Sequence, residues 1–211
     1  MNEITVFHAG KDGFNPTPAT QPTLYFIGVT TGKSSIMKVF PEWAKAMGID
    51  AVIKGIDIAI HEEDEVYRKV VDFIKNDPLS MGALVTTHKL DLCKACKDMF
   101  EYLDPYAQMF GELSSISKLD GQLRGHAKDP ISSGLALSDF VPEGWWAKGG
   151  DFYVIGAGGS AIFMVSPPYP SGTVTWNQRP LCEVFPTLAA RSIDEDAVRN
   201  LWDLLSSEVP G

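Results

Sequence analysis

Gly28-Val29-Thr30-Thr31-Gly32-Lys33-Ser34-Ser35 gathers hydroxyls, a lysine and two glycines at the seam between a short apolar run and a helical pattern. A chain holds anions at such a seam. The free N–H groups and positive dipole end of a helix face the ligand, and Ser34, Ser35 and Lys33 add donors and charge. A phosphate-binding P-loop needs four residues between its two glycines, so that successive N–H groups wrap a phosphate. Gly28 and Gly32 enclose only Val29, Thr30 and Thr31. The spacing argues against nucleotide hydrolysis and leaves two readings, a carboxylate site or serines that merely cap the helix. A second candidate is Gly156-Ala157-Gly158-Gly159, directly after the apolar run 151–155. Glycines there let the backbone approach a dinucleotide pyrophosphate at a helix start, although three glycines also make a plain tight turn. Cys93-x-x-Cys96 invites a metal or redox reading, but no second ligand pair follows at related spacing. Both fall on one face of a helical pattern and read as small apolar packing residues.

The whole chain narrows the chemistry. Its 211 residues can bury a core, and the apolar (45%) and charged (21%) fractions are those of a globular protein. A net charge of −9 argues against nucleic acid and against an anionic membrane surface as partners. No apolar run is long enough for a signal peptide or a membrane span, and three cysteines are an odd number. The expectation is a cytoplasmic protein with free thiols, acting on a small molecule. Oligomeric state is not legible.

The elements that must position these residues alternate in type. Residues 1–22 are Gly-, Pro-, Thr- and Asn-rich and read as an extended arm. Strands are predicted over 24–28, 51–60 and 81–86, and helices over 36–47, 62–75 and 90–103. The first helix has apolar positions at Ile36, Val39, Phe40, Trp43 and Met47, with Gly48 placed to stop it. The second turns Val66, Val70, Phe73 and Ile74 inward. Two further strands, 113–119 and 122–125, flank Asp120-Gly121, a hairpin dipeptide. A helix follows over 129–140. This order implies βαβ units and a mostly parallel α/β sheet. Residues 142–150 are the candidate domain boundary, and 192–207 read as a terminal helix whose Ser192 and Glu195 form a capping box.

Five stretches, in order, resemble the shikimate dehydrogenase family. The run from Gly28 to Ile49 is similar to its opening, where a Ser-x-Ser pair binds the substrate carboxylate. Gly82-Ala-Leu-Val-Thr-Thr-His-Lys89 resembles the family's G-x-N-V-T-x-P-x-K, whose lysine is catalytic. Gly111-Glu-Leu-Ser-Ser115 resembles its G-A-V-N-T, and Gly125-His-Ala-Lys-Asp129 its G-x-N-T-D, whose aspartate completes the catalytic pair. Gly156-Ala-Gly-Gly-Ser-Ala161 resembles its NADP turn. The family's asparagine in the lysine motif is Leu84 here, its proline is His88, and Ala127 and Lys128 precede the aspartate. These departures rearrange polarity toward a hydroxylated substrate.

The resemblance implies catalytic Lys89 and Asp129, and substrate contacts from Ser34, Ser35, Thr86 and Ser114. It also implies NADP contacts from Gly156, Gly158, Gly159, Ser160, Asn177 and Arg179. Oxidising an alcohol by hydride transfer requires removing the hydroxyl proton, and an ordinary lysine is a poor base at neutral pH. Lysine and aspartate are better read as one coupled acid–base unit, which His88 and Lys128 are placed to tune or replace. His126 reads as a turn residue with a satisfied hydrogen bond, and His61 as part of a solvated face. The implied architecture is a substrate-binding domain over 23–145 and an incomplete Rossmann-like segment over 146–211. The implied activity is NADP-dependent oxidation of a cyclic polyhydroxy carboxylic acid of the shikimate or quinate type, or reduction of its ketone. The alternative is a non-catalytic acid-binding protein without a working cofactor site. The helix after Gly159 can run only from 160 to 165 before Pro167 and Pro168. NADP affinity is therefore expected to be no tighter than millimolar, about −4 kcal/mol.

Overall fold

Alternating β-branched runs and amphipathic stretches assemble into one seven-stranded sheet in the computed structural model, which describes residues 4–142. In chain order the strands are β1 (Val6–Ala9), β2 (Thr23–Gly28), β3 (Val52–Ile58), β4 (Ser80–Val85), β5 (Tyr102–Leu103), β6 (Ser115–Leu119) and β7 (Gln122–His126). The helices are α1 (Ile36–Ala46), α2 (Asp64–Asn76), α3 (Lys89–Cys96), α4 (Pro105–Phe110) and α5 (Asp129–Phe140). The spatial order is β1-β3-β2-β4-β6-β7-β5. β1, β3, β2 and β4 run parallel, β6 is antiparallel to both its neighbours, and β5 is parallel to β7. The result is the α/β, mostly parallel sheet that the alternation predicts. Residues 143–150 of the boundary expected at 142–150, the strand at 151–155, Gly156, Gly158, Gly159, Ser160, Asn177, Arg179, Cys182 and the terminal helix lie outside the described residues.

Strand period sorts the core into two layers. Tyr25 and Ile27 of β2 face a cluster with Val66, Tyr67, Val70 and Ile74 of α2 and Leu92, Cys93 and Cys96 of α3. Phe26 between them faces the opposite layer, with Met37, Phe40 and Ala44 of α1 and Ile53 of β3. Each β2 side chain thus goes to the face its parity dictates. Cys93 and Cys96 are packing residues, and burial raises both thiols, Cys96 to about 12.

Several expectations are corrected. The arm at 1–22 contains β1, an edge strand paired with Gly55–Ile58. Its four residues are too few to show a period. On α1 the buried stripe is Met37-Phe40-Ala44, whereas Trp43 (55%) and Met47 (61%) stand exposed. The helix expected over 90–103 ends at Cys96, and Tyr102 and Leu103 form β5 beside β7. α4 was not foreseen, although Asp104 caps it by accepting from the Ala107 N–H at 2.7 Å and Pro105 opens it. Phe73 is only half-buried, and the strand expected from 113 begins at Ser115.

The switch from parallel to antiparallel pairing depends on Gly82. It sits opposite Ser117 with a φ of 115°, and a Cβ there would run into the Ile116 carbonyl. The hairpin turn is as expected, with Asp120 (φ 52°) and Gly121 (φ 77°) both left-handed. Gly82→Ala is predicted to cost about 3 kcal/mol or more, from backbone strain and a severed β4–β6 ladder, read as a lowered midpoint in urea unfolding. Unchanged stability would mean that β6 does not pair with β4 here.

Candidate active site

Parallel strands deliver their following loops to one end of the sheet, the ordinary location for a ligand in an open α/β fold. At that end the loop after β2 and the loop after β4 wall a pocket of about 300 Å³. Thr30, Thr31, Lys33 and Ser34 line one side and Thr86 and Thr87 the other, over a floor that includes Gly28 and Phe26. Among the described residues the lining holds hydroxyls and an ammonium and no carboxylate, a composition suited to an anionic, hydroxylated ligand.

The first loop is fastened from below. The Thr31 amide and hydroxyl both donate to Asp57 Oδ1, at 2.8 and 2.6 Å, on the neighbouring strand β3. Gly55 makes room for this, since a Cβ would strike the Thr31 hydroxyl. Ser34 lies on the pocket wall, whereas Ser35 is exposed at the start of α1 and does not line it. The Ser35 side chain makes no cap bond, so capping does not account for it.

The second loop turns on Thr87, whose φ of 59° is left-handed for a β-branched residue. That turn sends Thr86 and Thr87 to the pocket and His88 into the core. His88 is 1% exposed. Its Nε2 donates to the Ile58 carbonyl at 3.0 Å, which fixes the tautomer, and its Nδ1 accepts from the Tyr67 hydroxyl at 3.2 Å. Burial lowers its pKa and keeps it neutral. His88 therefore anchors the loop and is turned away from the pair it was expected to tune.

Lys89 opens α3 and Asp129 opens α5, and Lys89 Nζ donates to Asp129 Oδ2 in a part-buried ion pair. A carboxylate at a helix N-terminus is favoured by the dipole and an ammonium there is not. Asp129 offsets the misplaced charge of Lys89. The backbone completes the junction, as the Leu113 N–H donates to the Lys89 carbonyl at 3.1 Å.

Other expected residues support this junction from behind. Ser114 is buried and its hydroxyl accepts from the Lys128 N–H at 2.7 Å. Lys128 Nζ leans toward Asp104 Oδ2 at 3.5 Å and so departs from Asp129. His126 closes β7 and lies 3.2 Å from the Ser117 hydroxyl, so it is a strand residue and not a turn residue. His61 is exposed and pairs with Asp91 at 3.1 Å, as a solvated face would.

Two residues escaped the sequence reading. Asp104 caps α4 and accepts from the Ala127 N–H at 3.3 Å, holding the strand end before Asp129. Glu112 is 1% exposed, and its Oε1 has no hydrogen-bond partner among the described residues. Burial pushes its carboxyl up to about 7; Lys89 opposes the shift and Asp129 reinforces it. The available signal was a charged residue between Gly111 and Leu113, where the family run has alanine.

No protein-family model and no curated protein matches the chain. Solved structures do. One is shikimate 5-dehydrogenase from Thermus thermophilus in complex with shikimate, at 17% identity, over 68% of this chain and 50% of that one, with a TM-score of 0.54. Another is shikimate 5-dehydrogenase from Listeria monocytogenes in complex with shikimate and NAD, at 20%, 71%, 48% and 0.52 respectively. A third is a shikimate dehydrogenase in complex with NADP+, at 22%, 72%, 50% and 0.52. Sheet order and site together define an α/β domain that presents a polar pocket at the carboxyl ends of its parallel strands. Its fold is that of the shikimate dehydrogenases, and the chain spans about half the length of those it matches. Among the described residues no helix is long and apolar enough to cross a membrane.

His88→Phe is predicted to cost ~1–3 kcal/mol at pH 7.5, because the Tyr67 hydroxyl and Ile58 carbonyl lose their partner. A buried base with a lowered pKa stabilises the fold fully above its unfolded value of about 6.5, and that contribution is lost as pH falls. The gap between wild type and variant should therefore narrow at pH 5.5, measured by urea unfolding at both values. A gap that widens on acidification would place a charged His88 in the fold.

Proposed function

We propose that this chain is a shikimate-dehydrogenase-like oxidoreductase. Its described domain receives a cyclic polyhydroxy carboxylic acid of the shikimate or quinate type, or the corresponding ketone. The observation that carries the reading is the Lys89–Asp129 ion pair, formed just past the loop whose Thr86 and Thr87 line the hydroxyl-rich pocket. The likeness to solved dehydrogenases supports the fold on which that chemistry would run.

In this reading Ser34 and Lys33 hold the carboxylate, with Ser35 able to join them by a small shift of the α1 start. Thr86 and Thr87 meet ring hydroxyls. Lys89 donates to the reacting oxygen and polarises a carbonyl in reduction, while Asp129 orients the ammonium and shares the proton removed in oxidation. An NADP cofactor supplies or takes the hydride when bound. The residues assigned to hold it, Gly156, Gly158, Gly159, Ser160, Asn177 and Arg179, lie outside the described residues.

Calorimetric titration with shikimate, quinate and NADP tests the reading. An acid should bind, and replacing Ser34 and Ser35 together by alanine should weaken it by ~1–3 kcal/mol through lost charge-assisted hydrogen bonds. NADP is expected to bind no tighter than millimolar. Where turnover is measurable, Lys89→Ala should lower kcat far more than it weakens acid binding, since its contribution grows in the transition state. Acid binding without turnover at any NADP concentration would favour a non-catalytic acid-binding protein. Absence of acid binding would end the proposal.

A further inference from the structure

Glu112 is a buried carboxyl that the proposed chemistry does not use. It follows Gly111, the left-handed residue (φ 63°) that ends α4, and precedes Leu113, whose N–H is bonded to the Lys89 carbonyl. The segment carrying Glu112 is thus laced to the first residue of α3. Its side chain is sealed from solvent and leaves Oε1 without a hydrogen-bond partner among the described residues. A carboxyl kept only for packing or capping would be bonded, because burying an unpaired polar oxygen is costly. The ionisable groups that act on it or feel it are Lys89 and Cys93 on α3 and Asp129 on α5. Cys93 stays a neutral thiol, since burial raises it. Among the described residues, the charges that act on Glu112 are those of the ion pair.

We propose that Glu112 is a positioning residue of the Lys89–Asp129 site, setting its net charge so that an anionic acid is accepted when Glu112 is protonated. Lys89 and Asp129 cancel, so the junction is neutral with Glu112 protonated and carries one negative charge with Glu112 ionised. Thr87 on the pocket wall stands two residues before Lys89, and an uncompensated negative charge at this part-buried junction disfavours an anionic ligand in the pocket. Ligand binding then draws a proton onto Glu112. The ligand half of this inference rests on the proposed function; the charge-setting half does not.

The test uses the full chain and shikimate as the probe. Calorimetry in two buffers of different ionisation enthalpy should show up to one proton taken up per acid bound at pH 8, and little at pH 5.5. Affinity should fall toward tenfold per pH unit above neutrality in the wild type and stay flat in Glu112→Gln. Glu112→Ala serves as the second variant if the amide disturbs folding. Equal proton uptake in wild type and variant would overturn the proposal, as would an equal pH dependence of affinity. A ligand-free measurement separates the two halves. In a carboxyl and lysine NMR titration of the wild type, the Glu112, Lys89 and Asp129 signals should move together around neutral pH. In Glu112→Gln the last two should lose that step. If shikimate binds at no pH, the proposed ligand falls, and the NMR titration alone decides whether Glu112 sets the charge of the pair. Lys89 and Asp129 signals indifferent to Glu112 ionisation would sink the inference whatever binds.

Discussion

The ion pair between Lys89 and Asp129 joins the amino ends of α3 and α5, two helices that enter from different parts of the sheet. Withdrawing two charges from water is costly, and their attraction offsets that cost only when the surrounding geometry is held. Much of the neighbouring structure does that holding. Gly82 lets β6 lie beside β4, which brings the Gly111–Leu113 segment under α3. The Leu113 N–H then bonds the Lys89 carbonyl, while Asp104 and Ser114 bind the backbone at Ala127 and Lys128, just before Asp129. Loosening any of these contacts moves one charge relative to the other.

The same constraint shapes the pocket loops. Each is tied to the sheet by a buried or part-buried polar contact and presents its remaining polar groups outward. Thr31 is bonded twice to Asp57, and His88 is bonded to Ile58 and Tyr67. The left-handed Thr87 is the strained step that lets one short loop serve both directions. A rigid rim of this kind needs little ordering when an acid arrives, which favours affinity.

Glu112 introduces a conflict into this arrangement, since a carboxyl whose Oε1 has no partner among the described residues is buried beside a pair that already balances itself. Natural sequences carry such local violations mainly where they serve a site. Its neighbours explain why its protonation matters more than its packing. Burial, reinforced by Asp129, opposes the charged form and outweighs Lys89, which favours it, so the carboxyl is pushed up to about 7.

What the sequence determined by itself was the order and type of the long elements, because their side chains repeat with the period of the structure they form. β2, β3, α2, β4, the Asp120-Gly121 hairpin and α5 are each long enough, or their turn residues specific enough, to show that repeat. The short elements were not legible: β1 has four residues and β5 two, and both exist because a neighbouring strand offers them a ladder. Lys89 and Asp129 could be named from the resemblance to the shikimate dehydrogenase motifs, yet their meeting depends on the β4–β6 pairing that turns the chain back. Sequence could not distinguish Ser34 on the pocket wall from Ser35 beside it, nor foresee that Ser114 and His88 use their polar groups inside the fold. Partners for a buried polar atom come from residues distant along the chain, so only the tertiary structure decides which are satisfied and which, like Glu112 Oε1 among the described residues, are not.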